Sequence, residues 1–192
     1  MKHFHRTSNF EFDVVLSVWN QFHSPEQFLG FARAGLRSFW IGNRRRPKDA
    51  TAGARDYFSV AWLYAARYLP SEFCRQASMW SFDLFSGLHS IKAPLLWAFA
   101  PMNTRLIGKA NRQSMPVVLD VAIGHQRLYK QIMATENRKL GLPFSEGLVE
   151  SWVRKYEWEY AHANWICAGS PDVKKTLVER GIPPDIILVN HY

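Results

Sequence analysis

The chain has 192 residues, of which 47% are hydrophobic and 21% charged, with a mean hydropathy of -0.22; these are values of a folded domain and exclude disorder, collagen and coiled coil. One domain over residues 1–192 is the organisation expected at this length. Lysine and arginine total 24 against 16 aspartates and glutamates, and the formal charge of +8 suits phosphate-rich partners: nucleic acid, an anionic membrane surface or phosphorylated small molecules.

In chain order, the basic opening leads into Glu11, Phe12 and Asp13 rather than a long apolar core, so no secretion signal is read there. Residues 13–19 (DVVLSVW) predict a strand, and Ser24-Pro25-Glu26 a capped helix start. Phe28, Leu29, Phe31 and Ala32 recur at helical spacing through residues 25–34, Gly35 stops the helix, and residues 37–42 predict a second strand. Residues 56–69 and 71–88 read as helices rich in aromatics, among them Tyr57, Trp62, Phe73, Trp80, Phe82 and Phe85. These are assigned to core packing, with contact to lipid as the alternative for a surplus face.

The same grammar returns in the second half. Strands are predicted at 94–99, 116–121, 165–168 and 186–189, and helices at 103–113, 126–140, 146–162 and 171–180. The longest nearly uncharged apolar stretch, residues 93–102, falls short of the ~20 residues a spanning helix needs and holds two prolines. Cys74 and Cys167 stand far apart without a CxxC or Cys/His pairing, which supports neither a disulfide framework nor a zinc site and fits a reducing cytoplasm. Strands alternating with helices imply an α/β fold, a parallel sheet covered by helices on both faces.

From residue 116 onward the chain runs Pro116-Val117-Val118-Leu119-Asp120, then His125, then Glu157-Trp158-Glu159-Tyr160-Ala161-His162-Ala163-Asn164-Trp165-Ile166-Cys167-Ala168-Gly169-Ser170. Val173, Leu177, Gly181, Ile182, Pro183, Ile187 and Val189 complete the pattern. In order and spacing this resembles the N-terminal domain of retaining GT-B glycosyltransferases, family four above all. The resemblance implies a Rossmann-like doubly wound sheet forming the acceptor-side half of a two-lobed enzyme. A C-terminal donor domain outside residues 1–192 would bind the nucleotide sugar, and this half alone is then expected not to transfer sugar. The end of the chain just after a predicted strand agrees with that expectation. No cofactor or metal is implied beyond the nucleotide-sugar substrate. The implied partners are that donor, a carbohydrate or lipid-linked acceptor, the second domain and an anionic membrane surface. The implied location is the cytoplasm, including the inner face of the membrane.

Ligands of open α/β sheets collect beyond the carboxyl ends of the strands, where residues 20–24, 100–104, 122–127 and 169–172 would form one rim. The resemblance makes His125 the candidate catalytic residue, in contact with the transferred sugar or assisting proton movement; read without it, His125 is a loop histidine bonded to backbone. Asn20, Gln21 and His23 are candidate acceptor ligands, and equally turn and cap residues. They occupy the loop where the family often carries a Gly-Gly pair near the donor phosphates. Arg44, Arg45, Arg46 and Lys48 form the densest basic run, either a solvated loop or a contact to phosphate or an anionic membrane surface. Asp120, inside a strand, reads as a structural anchor. Glu157 and Glu159 are two residues apart on a helix and therefore face different ways, which excludes paired acid-base work. The rival reading is a non-catalytic Rossmann-like domain binding a phosphorylated ligand, nucleic acid or a partner protein. Nucleic acid is the less favoured of these, because the aromatics lie in apolar helical stretches rather than among the basic residues.

Overall fold

The apolar run VVLSV forms strand β1 (Val14–Val18) in the computed structural model, which describes residues 10–18, 24–42, 54–56, 68 and 71–190. Helix α1 (Ser24–Arg33) follows and closes at Gly35, whose φ of 76° only a residue without a Cβ adopts freely; Leu36 N–H then reaches back to the Phe31 carbonyl. Next come β2 (Ser38–Gly42), β3 (Ala54–Asp56), the long helix α2 (Ser71–Leu88) and β4 (Leu96–Phe99). The second half supplies α3 (Thr104–Arg112), β5 (Val117–Val121), α4 (Gln126–Lys139), α5 (Glu146–His162), β6 (Trp165–Ala168), α6 (Pro171–Val178) and β7 (Ile187–Val189).

The seven strands lie in the order β3-β2-β1-β4-β5-β6-β7, and every neighbouring pair is parallel. The α/β class and parallel sheet expected from the sequence are therefore the observed ones. The order reverses between β1 and β4, which makes the crevice beyond Val18 and Phe99 the topological switch point.

Side chains alternate across the sheet and meet different helices on its two faces. Val15, Ala98, Leu119 and Ile166 face the main core, built with Met79 and Phe82 of α2, Leu106 and Ile107 of α3, Tyr156 and Tyr160 of α5, and Leu177 of α6. Leu16, Val18, Trp40 and Phe99 face the other way, where Phe31 of α1 packs edge-on against Trp97 at 5.3 Å between ring centroids. At the end of β2, Gly42 is required by packing: a Cβ there would lie 1.9 Å from Nε1 of Trp40, an indole with no exposure.

Two expectations need correction. Asp56 does not open a helix; with Ala54 and Arg55 it pairs in parallel with Trp40, Ile41 and Gly42, so that sheet hydrogen bonding overrides a sequence with no strand signal of its own. The rest of the helix expected over residues 56–69 lies outside the described residues, apart from an exposed Tyr68. Core packing of the aromatics in α2 holds for Phe82, whereas Trp80 and Phe85 are exposed.

Candidate functional site

The switch-point rim is assembled around the loop from Ala100 to Asn103. Ala100 N–H donates to the Asp120 carbonyl at 3.0 Å, extending the β4–β5 ladder past the end of β4. Ser17 Oγ of β1 donates to Asn103 Oδ1 at 2.5 Å, and Asn103 Nδ2 donates to the Phe99 carbonyl at 2.6 Å. One buried carboxamide thus stitches β1 to β4 where the strand order reverses.

Glu159 fixes the same loop from α5. Its Oε1 accepts Met102 N–H at 3.0 Å, Asn103 N–H at 2.8 Å and Thr104 Oγ1–H at 3.2 Å, while Asp83 Oδ1 of α2 accepts Arg105 N–H at 3.0 Å. Two carboxyl groups therefore occupy the N-terminus of α3, the end of a helix that otherwise attracts anions. Glu159 has no exposure, and burial, with Asp83 adding to it, pushes its pKa up to about 8 against the pull of the donors it accepts from. Its Oε2 is buried with no hydrogen-bond partner among the described residues.

On the opposite face Asp120 of β5, also fully buried, accepts Gln27 Nε2–H of α1 at 2.5 Å and Trp97 Nε1–H of β4 at 3.2 Å. This is the anchoring role read for Asp120 in the sequence. Burial, with the Asp120 charge beside it adding to the effect, pushes the Cys167 thiol up to about 12, so it stays protonated; Cys74 and Cys167 are both free and buried.

His125 follows β5 on the rim, as expected from the sequence, but only 3% of it is exposed. It is the N-cap of α4: its Nδ1 accepts Arg127 N–H at 3.2 Å, its own N–H donates to Thr176 Oγ1 at 3.0 Å, and its ring lies 5.2 Å from that of Tyr160. An Nδ1 that accepts places the ring proton on Nε2, which has no partner among the described residues. Burial lowers the His125 pKa, with Arg180 and Arg127 acting in the same direction and Glu157 opposing. Ser170 caps α6 in a similar way, through Val173 N–H at 3.2 Å.

Asn20, Gln21, His23, Arg44, Arg45, Arg46 and Lys48 lie outside the described residues. Glu157 and Glu159 diverge as the helical spacing requires: Glu157 pairs with Arg127 of α4, and Glu159 turns inward to α3. The inward role of Glu159 was missed in the sequence. The signal was present, since Glu159 continues the apolar stripe of Trp152, Val153 and Tyr156 at helical spacing. Among the described residues no cluster of His, Cys, Asp and Glu is arranged to hold a metal ion, and no helix is long and apolar enough to cross a membrane.

No protein-family model matches the sequence, and no curated protein matches it either. Solved structures do match in fold. UDP-GlcNAc 2-epimerase from Neisseria meningitidis, bound to UDP-GlcNAc, is 14% identical, with 92% of this chain and 45% of that chain covered and a TM-score of 0.50. A second UDP-N-acetylglucosamine 2-epimerase is 13% identical over 93% of this chain and 48% of that one, with a TM-score of 0.52. LpCGTa, solved in complex with UDP, is 12% identical over 94% of this chain and 54% of that one, with a TM-score of 0.53. The chain spans about half the length of these structures. It has the Rossmann-like half-domain fold of the GT-B and UDP-GlcNAc 2-epimerase group.

Proposed function

We propose that this chain is the acceptor-side lobe of a glycosyltransferase that moves a sugar from a nucleotide-sugar donor to an acceptor hydroxyl with retention of configuration. The observation that carries the reading is the all-parallel sheet with its order reversed between β1 and β4, in a chain whose fold matches about half the length of proteins solved with UDP-GlcNAc or UDP. Donor binding is assigned to a second lobe. Within the described residues the α3 N-terminus is filled by Glu159 and Asp83, which argues against a phosphate there.

In transfer, the bond from the anomeric carbon to the nucleoside diphosphate breaks, the bond to the acceptor oxygen forms, and the acceptor's hydroxyl proton passes to the departing diphosphate. The rim would contribute by positioning the acceptor. His125 would act through Nε2–H as a hydrogen-bond donor to a sugar oxygen, because its Nδ1 is committed to the helix cap. Asn20, Gln21 and His23 would complete the acceptor subsite, and Arg44, Arg45, Arg46 and Lys48 would face an anionic membrane carrying a lipid-linked acceptor.

The test is a pair of titrations on the purified chain, one with UDP-sugars and one across immobilised glycans and glycolipids. Glycan capture with negligible UDP-sugar affinity is the expected result. Tight UDP-sugar binding, or salt-sensitive binding of DNA or RNA without glycan capture, would overturn the reading.

A further inference from the structure

A cavity of about 320 Å³ opens between α2 and α5, beside the switch-point loop. Its lining includes Met79, Met102 and Ala77 together with the indoles of Trp80 and Trp152. The size is that of a small-ligand pocket, and its surface is largely apolar. Met79 and Met102 are buried, whereas Trp80 is 58% exposed and leaves much apolar indole surface in water.

The charge distribution on α5 says what the pocket would take. Glu146 and Glu150 turn toward Lys130 of α4, Glu157 toward Arg127, and Glu159 toward α3. Lys155 is the charged residue described in the lining; it is half-buried and has no hydrogen-bond or ion-pair partner among the described residues. No acidic residue among those described lines the space. A lysine at the edge of apolar walls, with no counter-charge among the described residues, is matched by an anion carried on an apolar body, which covers the walls and pairs with the ammonium.

We infer that the α2–α5 cavity is a binding site for a small amphiphilic anion, its alkyl or aromatic body against Met79, Trp80, Met102 and Trp152 and its phosphate or carboxylate on Lys155. The inference does not depend on sugar transfer. The cavity shares Met102 with the rim loop but none of Asn20, Gln21, His23 and His125.

Calorimetric titration of the purified chain with hexyl phosphate and with phenyl phosphate tests it, against hexanol, phenol and inorganic phosphate as controls. The expected result is that at least one organic phosphate binds about tenfold more tightly than its alcohol and than inorganic phosphate. Preference for the hexyl compound assigns the site to alkyl ligands, and preference for the phenyl compound to aromatic ones. Lys155→Met is expected to remove the advantage of the phosphate over the alcohol, and Ala77→Phe, which fills the cavity, to remove both. Circular dichroism and the urea midpoint report whether each variant keeps its fold. Equal binding of phosphate and alcohol by the native chain, or undiminished phosphate binding by a folded Lys155→Met chain, would overturn the assignment.

Discussion

The Glu159 carboxyl group of α5 accepts the backbone N–H of Asn103 at 2.8 Å in a place with no access to water, so a proton held on one helix governs the loop at the head of another. The folded chain keeps that proton to about pH 8, against 4.5 for an ordinary glutamate. Between those values the folded state binds more protons than the unfolded one. The stability this group contributes is complete below about 4.5 and is lost as pH rises toward about 8. The melting temperature of the native chain is expected to fall by at least ~5 °C between about pH 5.5 and 8, and Glu159→Gln to flatten that slope. A slope unchanged in the Gln variant contradicts the account. Glu159→Ala, which leaves Met102, Asn103 and Thr104 donors unpaired, is expected to cost about 2–4 kcal/mol in urea unfolding.

His125 works in the opposite sense. Burial lowers its pKa below 6.5, so the neutral ring is favoured in the folded state, and its share of stability is present above 6.5 and lost as pH falls through its folded value. Protonation at Nδ1 also breaks the cap to Arg127 N–H. His125→Asn, which can still cap, should keep stability within about 1 kcal/mol, while His125→Ala loses about 1–2 kcal/mol by urea unfolding. On the proposed reading, a two-lobed transferase carrying His125→Asn is expected to fold normally yet turn over slowly; native turnover in that variant removes the catalytic assignment.

Gly42→Ala places a methyl group against the fully buried Trp40 indole, in a space only 1.9 Å from Nε1. A loss of about 1–3 kcal/mol is expected, read from the shift in urea midpoint at constant slope. An unchanged midpoint would show that β2 can move away from Trp40.

Replacing Arg44, Arg45 and Arg46 together by glutamine should reduce binding to vesicles containing phosphatidylserine, by ~1 kcal/mol for each residue near the surface, while leaving any binding to neutral vesicles unchanged. Equal binding of the native chain to both kinds of vesicle would remove the membrane role from this run.

Much of the sheet was legible because each buried parallel strand is written as a short apolar run: residues 165–168 were bounded correctly, as was α2 by its helical periodicity over 71–88. Strand β3 was not, since Ala54, Arg55 and Asp56 carry no strand preference and owe their conformation to pairing with β2. His125 could be placed on the rim from its position after a strand. Its burial could not, because Thr176 and Tyr160, which enclose it, come from elements about 50 and 35 residues away. Glu159 was seen as a helix residue facing away from Glu157, yet what it faced depended on how α5 lies across α3, a tertiary relation that no local pattern encodes.

The Asp120 side chain reaches α1 and β4 from β5 at the same time, and Asn103 spans β1 and β4 from the other side. The crevice is consequently braced across both of its walls. Losing either brace, by Asp120→Ala or Asn103→Ala, is therefore expected to loosen this edge of the sheet before the rest of it.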